Sequence, residues 1–83
     1  MDDMQGAGHL EVLTTPDGAK ALGLMGRRLE PGDVIEILLW DSWERGEVFF
    51  IGPAPHIKTT LASARISPYA FLRWPQTERL LPN

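Results

Sequence analysis

The sequence predicts an all-β domain, and three features carry that expectation. Residues 31–52, PGDVIEILLWDSWERGEVFFIG, hold two runs rich in branched and aromatic side chains, 34–40 and 43–51, on either side of the polar pair Asp41-Ser42. That pattern reads as a β-hairpin. Upstream, Thr15-Pro16-Asp17-Gly18 places Pro, Asp and Gly where a type I turn ending in a left-handed glycine wants them. Downstream, Gly52-Pro53-Ala54-Pro55 breaks the sheet and Pro75 ends the last apolar run, leaving pieces of strand length.

Taken in order, residues 1–8 mix acids, Gly and Gln without periodicity and are expected to be a flexible N-terminal tail. Residues 9–14 alternate closely enough for a first strand. Residues 19–24 then have two readings. They return as a second strand, or Thr15 caps a helix with Pro16 at its first position and Ala19, Lys20, Ala21, Leu22 and Met25 along it, stopping at Gly26. The sequence leaves both open. Residues 26–33 form a connecting loop whose Pro31-Gly32 pair turns tightly into the central hairpin.

Alternation along that hairpin puts Ile35, Ile37, Leu39, Val48 and Phe50 on one face, expected to be inward. Val34, Leu38, Trp40, Trp43, Phe49 and Ile51 lie on the other. Residues 56–61 resume the sheet, 62–64 look like a loop, and 65–67 add a few paired residues. Residues 67–70 look like a single helical turn before a last short strand at 71–74. Residues 76–83 are expected to be a C-terminal tail with one apolar pair, Leu80-Leu81. The domain proper is thus residues 9–75.

Eighty-three residues make one domain, and a chain this short buries only about two thirds of its unfolded surface. With no cysteine in the sequence, disulfides and thiolate metal sites are excluded, which leaves oligomerisation as the remaining stabilising aid. The net charge of −3 argues against general nucleic-acid binding, which depends on Lys and Arg meeting phosphates. Charge is also unevenly distributed. Glu30, Asp33, Glu36, Asp41, Glu44 and Glu47 lie in or beside the hairpin with only Arg45 against them, whereas Lys58, Arg65, Arg73 and Arg79 follow with only Glu78. The acidic N-terminus is not a secretory signal, and no apolar run approaches the ~20 residues of a membrane helix. A cytoplasmic protein without membrane association is expected.

Gly32-Asp33-Val34-Ile35-Glu36, then Trp43, Gly46 and Val48, then Ser67-Pro68-Tyr69 before a short closing strand, together resemble the SH3-like small barrels, including Tudor- and Agenet-like domains. The likeness covers roughly residues 31–75. It implies a barrel of about five strands with a single helical turn before the last, and a sharp bend permitted by Gly46. Within that class the chain is similar to the plasmid-borne, trimethoprim-insensitive type of dihydrofolate reductase, a homotetramer around a central pore. That family's Val-Gln-Ile-Tyr-Pro run falls on Ala64-Arg65-Ile66-Ser67-Pro68. Its Gln and Tyr hold the nicotinamide and pterin, and Arg65 and Ser67 stand there instead. The resemblance therefore implies shared architecture, and an NADPH-dependent assay with dihydrofolate is expected to show no turnover.

No catalytic residue, metal or cofactor is assigned from the residues themselves. His9 and His56 are not at ligand spacing, Ser42, Ser63 and Ser67 lack a nucleophile-elbow context, and no phosphate-binding glycine loop is present. The aromatic residues carry more information, because all of them, Trp40, Trp43, Phe49, Phe50, Tyr69, Phe71 and Trp74, fall between residues 40 and 74. A small barrel has one interior, while the hairpin offers bulky groups on two sides. Val34, Leu38, Trp40, Trp43, Phe49, Ile51 and Tyr69 are accordingly the candidate interface or ligand-binding residues. A sharper alternative is an aromatic cage for a cation, with Trp40, Trp43 and Tyr69 as walls and Asp41 or Glu44 supplying charge.

The expected function is a small non-enzymatic protein-binding module that forms a homo-oligomer through the outer face of the 34–51 hairpin. The alternatives are a pore-type reductase and a phage or plasmid accessory protein that docks on one host protein.

Overall fold

The structure, a computed structural model, describes residue 4 and residues 6–75. Its described part is all-β, with two antiparallel sheets. Strands β1 (Glu11–Thr14), β2 (Lys20–Leu24) and β3 (Arg27–Arg28) form the smaller sheet in that order. The larger sheet has the order β7-β6-β5-β4-β8, built from β4 (Val34–Leu39), β5 (Ser42–Ile51), β6 (Ala54–Thr59), β7 (Ser63–Arg65) and β8 (Leu72–Arg73). Residues 1–3, 5 and the expected C-terminal tail, 76–83, lie outside the described residues.

The ambiguous stretch 15–26 is a hairpin. Thr15 N donates to Ala19 O at 2.8 Å and Gly18 N to Thr15 O at 2.9 Å, which closes the turn. The Asp17 carboxylate accepts from the Thr15 hydroxyl and from Ala19 N, and Gly18 takes a φ of 88°. These local bonds satisfy the backbone without a helix, and the strand that follows carries Leu24 into the core, where it is completely buried. Tertiary burial thus overrides the helix propensity of Ala19 to Leu22. Met25 and Gly26, with φ of 54° and 79°, make the two-residue turn with both φ positive that suits a hairpin. The chain therefore returns as β3, where a connecting loop was expected. Arg27 and Arg28 are both exposed, so no alternation announces that strand.

The Thr15 hydrogen bond, and after it the Ala19 N–H, hold the Asp17 carboxyl below its ordinary 3.8. A carboxyl depressed in the native state contributes stability that is present above its unfolded pKa and lost as pH falls through the native one. Lowering the pH from about 5 to about 2 should therefore destabilise the protein, and Asp17→Asn should flatten part of that dependence. Urea midpoints across the window check this; identical slopes for both proteins would count against the turn geometry.

In the central hairpin Leu39 pairs with Ser42, so the turn is Trp40-Asp41 and not the expected Asp41-Ser42. The correction slides partners by an even step, so the faces survive. Ile35, Ile37 and Val48 are buried, and Leu39 and Phe50 pack on the same core, joined by Ile57 and Leu72 from the larger sheet, Ile66 just after β7, and Leu24 and Leu29 from the smaller-sheet side. Each fully buried side chain of this size contributes about 1.5–3 kcal/mol.

The sheets are stitched at their margins. Gly8 and Leu72 exchange two backbone hydrogen bonds of 2.8 Å, and Gly32 N donates to Val48 O at 2.8 Å. The Trp74 indole N–H donates to Leu24 O at 2.8 Å, while the Arg27 guanidinium lies 4.0 Å from the Trp74 ring centre. Among the described residues the strands do not close into one hydrogen-bonded ring.

Two smaller expectations are corrected. Residues 67–70 form a single hydrogen-bonded turn, with Ala70 N donating to Ser67 O at 3.0 Å and Tyr69 N to Ser67 Oγ at 3.1 Å. No helical turn develops there because Phe71 is already drawn into the sheet, its carbonyl accepting from Leu38 N at 3.0 Å. The sequence 62–64, expected as loop, instead starts β7 at Ser63, whose partner is Lys58.

Candidate functional site

The outer face of the larger sheet is set by the strand register. Arg73 lies opposite Glu36, and Glu36 opposite Arg45. The Glu36 carboxylate accepts from Arg73 Nε at 2.6 Å and from Arg45 at 3.2 Å, and its side chain is only 13% exposed. The Arg73 guanidinium also lies 4.1 Å from the centre of the Trp43 ring. Farther along, His56 is opposite Phe49, with ring centres 5.2 Å apart. These contacts leave Leu38, Trp43 and Phe49 half-buried within one subunit.

The candidate residues therefore do not form one continuous apolar patch. Val34 and Ile51 remain exposed at the end of the face away from the hairpin tip, and the Glu36–Arg45–Arg73 group lies between them and the Leu38–Trp43 pair. Trp40 stands at the tip, 97% exposed, and Tyr69 in the 67–70 turn is 83% exposed. The cage alternative is not assembled, since Arg73 already covers the Trp43 ring while Trp40 and Tyr69 are open to solvent.

Trp40 is held unusually. Its φ is 60°, a left-handed conformation that is uncommon for a bulky side chain. Two-residue hairpin turns place Gly, Asn or Asp in that region; here it carries the most exposed large apolar side chain of those described.

Beside this tip the larger sheet leaves an apolar cavity of about 250 Å³. Ile37, Leu39 and Ile57 come from the inner face, Leu61 and Ala64 from the β6–β7 turn and β7, and Arg65 is the one charged residue among those lining it. No residue of β1, β2 or β3 lines the cavity, because the smaller sheet covers the other end of the core. Leu61 is 68% exposed in a turn where the Thr59 hydroxyl accepts from Leu61 N at 3.1 Å and Ala62 N at 3.3 Å. Sequence reasoning missed both Leu61 and the cavity. The only available signal was a leucine in a turn between Thr60 and Ala62.

A second, shallower groove of about 420 Å³ runs between the sheets, with Val12, Leu22, Leu29 and Phe50 among its lining residues. Both of its cations already have partners: Lys20 Nζ donates to Thr14 Oγ1 at 2.8 Å, and Arg28 pairs with Glu30 at 3.2 Å. The histidines lie apart. His9 sits 2.9 Å from Ala70 O with its ring tilted against that of Phe71, centres 4.5 Å apart, whereas His56 sits 3.0 Å from Ala54 O. Among the described residues no group of acids and histidines is arranged to hold a metal ion, and no helix is long and apolar enough to cross a membrane.

Comparison with family models, with curated proteins and with solved structures finds no match. The run Ala64 to Pro68, on which the reductase resemblance rests, supplies Ala64, Arg65 and Ser67 to the cavity lining. The geometry itself offers a concave apolar site beside a projecting tryptophan, which suits recognition of a side chain.

Proposed function

We propose that this chain is a small SH3-like protein-binding module, not an enzyme, that associates with copies of itself through the outer face of the 34–51 hairpin. The two sheets are read as the halves of a partly open barrel over one core. The observation that carries the reading is Trp40, which is 97% exposed and held with a φ of 60° at the hairpin tip. Backbone strain of this kind costs about 1–3 kcal/mol and concentrates at functional positions, and tryptophan is the residue type most enriched among binding hot spots. Val34 and Ile51, 44% and 61% exposed, add separate apolar groups on the same face, beyond the Glu36–Arg45–Arg73 group.

Size-exclusion chromatography with light scattering over a concentration series tests the proposal. The mass should rise above that of one chain as concentration increases. A mass that stays at one chain up to about 1 mM, equivalent to no affinity tighter than roughly −4 kcal/mol, would overturn it.

A further inference from the structure

We infer that Trp40 of one copy seats in the apolar cavity of a second copy, and the second copy's Trp40 in the cavity of the first, so that two chains meet tip to tip about a twofold axis. The inference rests on the self-association proposed above and states where its anchor goes.

Three observations converge on it. First, knob and hole lie at the same end of one chain: Leu39 and Leu38 line the cavity, and Trp40 follows them directly. A twofold contact needs that arrangement, since each surface must be complementary to itself. The positive φ at Trp40 and its 97% exposure show that the indole does not fill its own cavity. Second, the volume of about 250 Å³ has room for one indole ring yet falls below the ~300–1,000 Å³ of sites for drug-sized ligands. The lining by Ile37, Leu39, Ile57, Leu61 and Ala64 offers an indole a largely apolar surface, with Thr59, Arg65 and Ser67 as its polar members. Third, the charges are complementary. Asp41 and Glu44 flank the tip, while Arg65 lines the cavity and makes no ion pair among the described residues. A tip entering the partner thus carries acidic groups toward a cavity whose one charged lining residue is Arg65.

Each buried indole removes ~150–250 Å² from water, so the contact stays below the ~1,200 Å² of a standard interface. The dimer should therefore be reversible at micromolar concentration.

Sedimentation velocity from about 1 to about 500 µM tests this on the full chain and five variants, with circular dichroism confirming that each folds. Arg65→Glu and Asp41→Arg should each weaken the dimer about tenfold or more, because each places like charges together. The double variant Asp41→Arg/Arg65→Glu should return to within about threefold of the original affinity, a rescue that structural damage would not produce. Ala64→Leu, which fills the cavity from an exposed strand position, should abolish dimerisation. If the dimer survives Ala64→Leu and the charge swap gives no rescue, but Ile51→Asp disrupts it, the tip-to-cavity contact is overturned and association through the hairpin face stands. If the unmodified chain never dimerises, both fall.

Discussion

Gly46→Ala is expected to cost about 2–3 kcal/mol, and Gly46→Val to leave the chain unfolded at room temperature. A Cβ built at Gly46 would come 2.7 Å from Ile57 Cγ1, 2.7 Å from Lys58 O and 2.9 Å from Thr59 Cγ2. The clash cannot be relieved by swinging a flexible side chain aside, because Lys58 O is backbone in β6, and moving it disturbs the ladder in which Gly46 pairs with Thr59 and Glu47 with Lys58. Overpacking of a tight site typically costs about 1–3 kcal/mol. A domain of this size has only some 4–12 kcal/mol in total, so even the alanine removes a large share. Gly46 does not have a positive φ; the glycine is needed for close approach of β6, which refines the bend expected from the sequence. Urea denaturation checks the value. An alanine variant within about 0.5 kcal/mol of the original would mean that β5 and β6 are farther apart than described.

Trp40→Gly should move stability and association in opposite directions. Glycine occupies a φ of 60° without the steric cost that tryptophan meets there, and an indole that is 97% exposed contributes almost no packing to its own chain. Relief of the strain, less the greater entropy glycine brings to the unfolded state, should raise stability by about 1 kcal/mol, or roughly 4–8 °C in Tm for a domain of this length. The same change should eliminate the concentration-dependent mass increase. A rise in Tm with association intact would make the exposed tryptophan incidental. A fall in Tm would show that Trp40 packs against its own subunit.

The parts of the fold legible in the sequence are those fixed by local chemistry. The inward set of the hairpin followed from alternation, and survived a misplaced turn because the register moved by an even number of residues, keeping every side chain on its face. At residues 15–18 Pro, Asp and Gly in fixed order gave the turn as one of two readings, and the choice against a Thr15-capped helix came only from pairing with β1. Strand β3 was not legible, since Arg27-Arg28 carries no apolar signal and exists only because the Met25-Gly26 turn delivers it to β2. The outer face was half legible. Its apolar residues could be named, but the cover of Trp43 by Arg73 joins residues thirty positions apart and depends on β8 pairing with β4. The cavity was hidden for a similar reason, because it exists where the smaller sheet stops covering the larger one.

The most direct measurement is fluorine NMR of the protein labelled with fluorotryptophan, the Trp40 resonance being assigned by its loss in Trp40→Phe. Trp43 and Trp74 serve as internal references, since Arg73 and Arg27 already cover their rings. A tip-to-tip dimer predicts that the Trp40 resonance alone shifts or broadens as concentration rises from about 10 µM to about 1 mM and loses its sensitivity to the H2O/D2O ratio. A Trp40 resonance that stays at its solvent-exposed position across that range would contradict it.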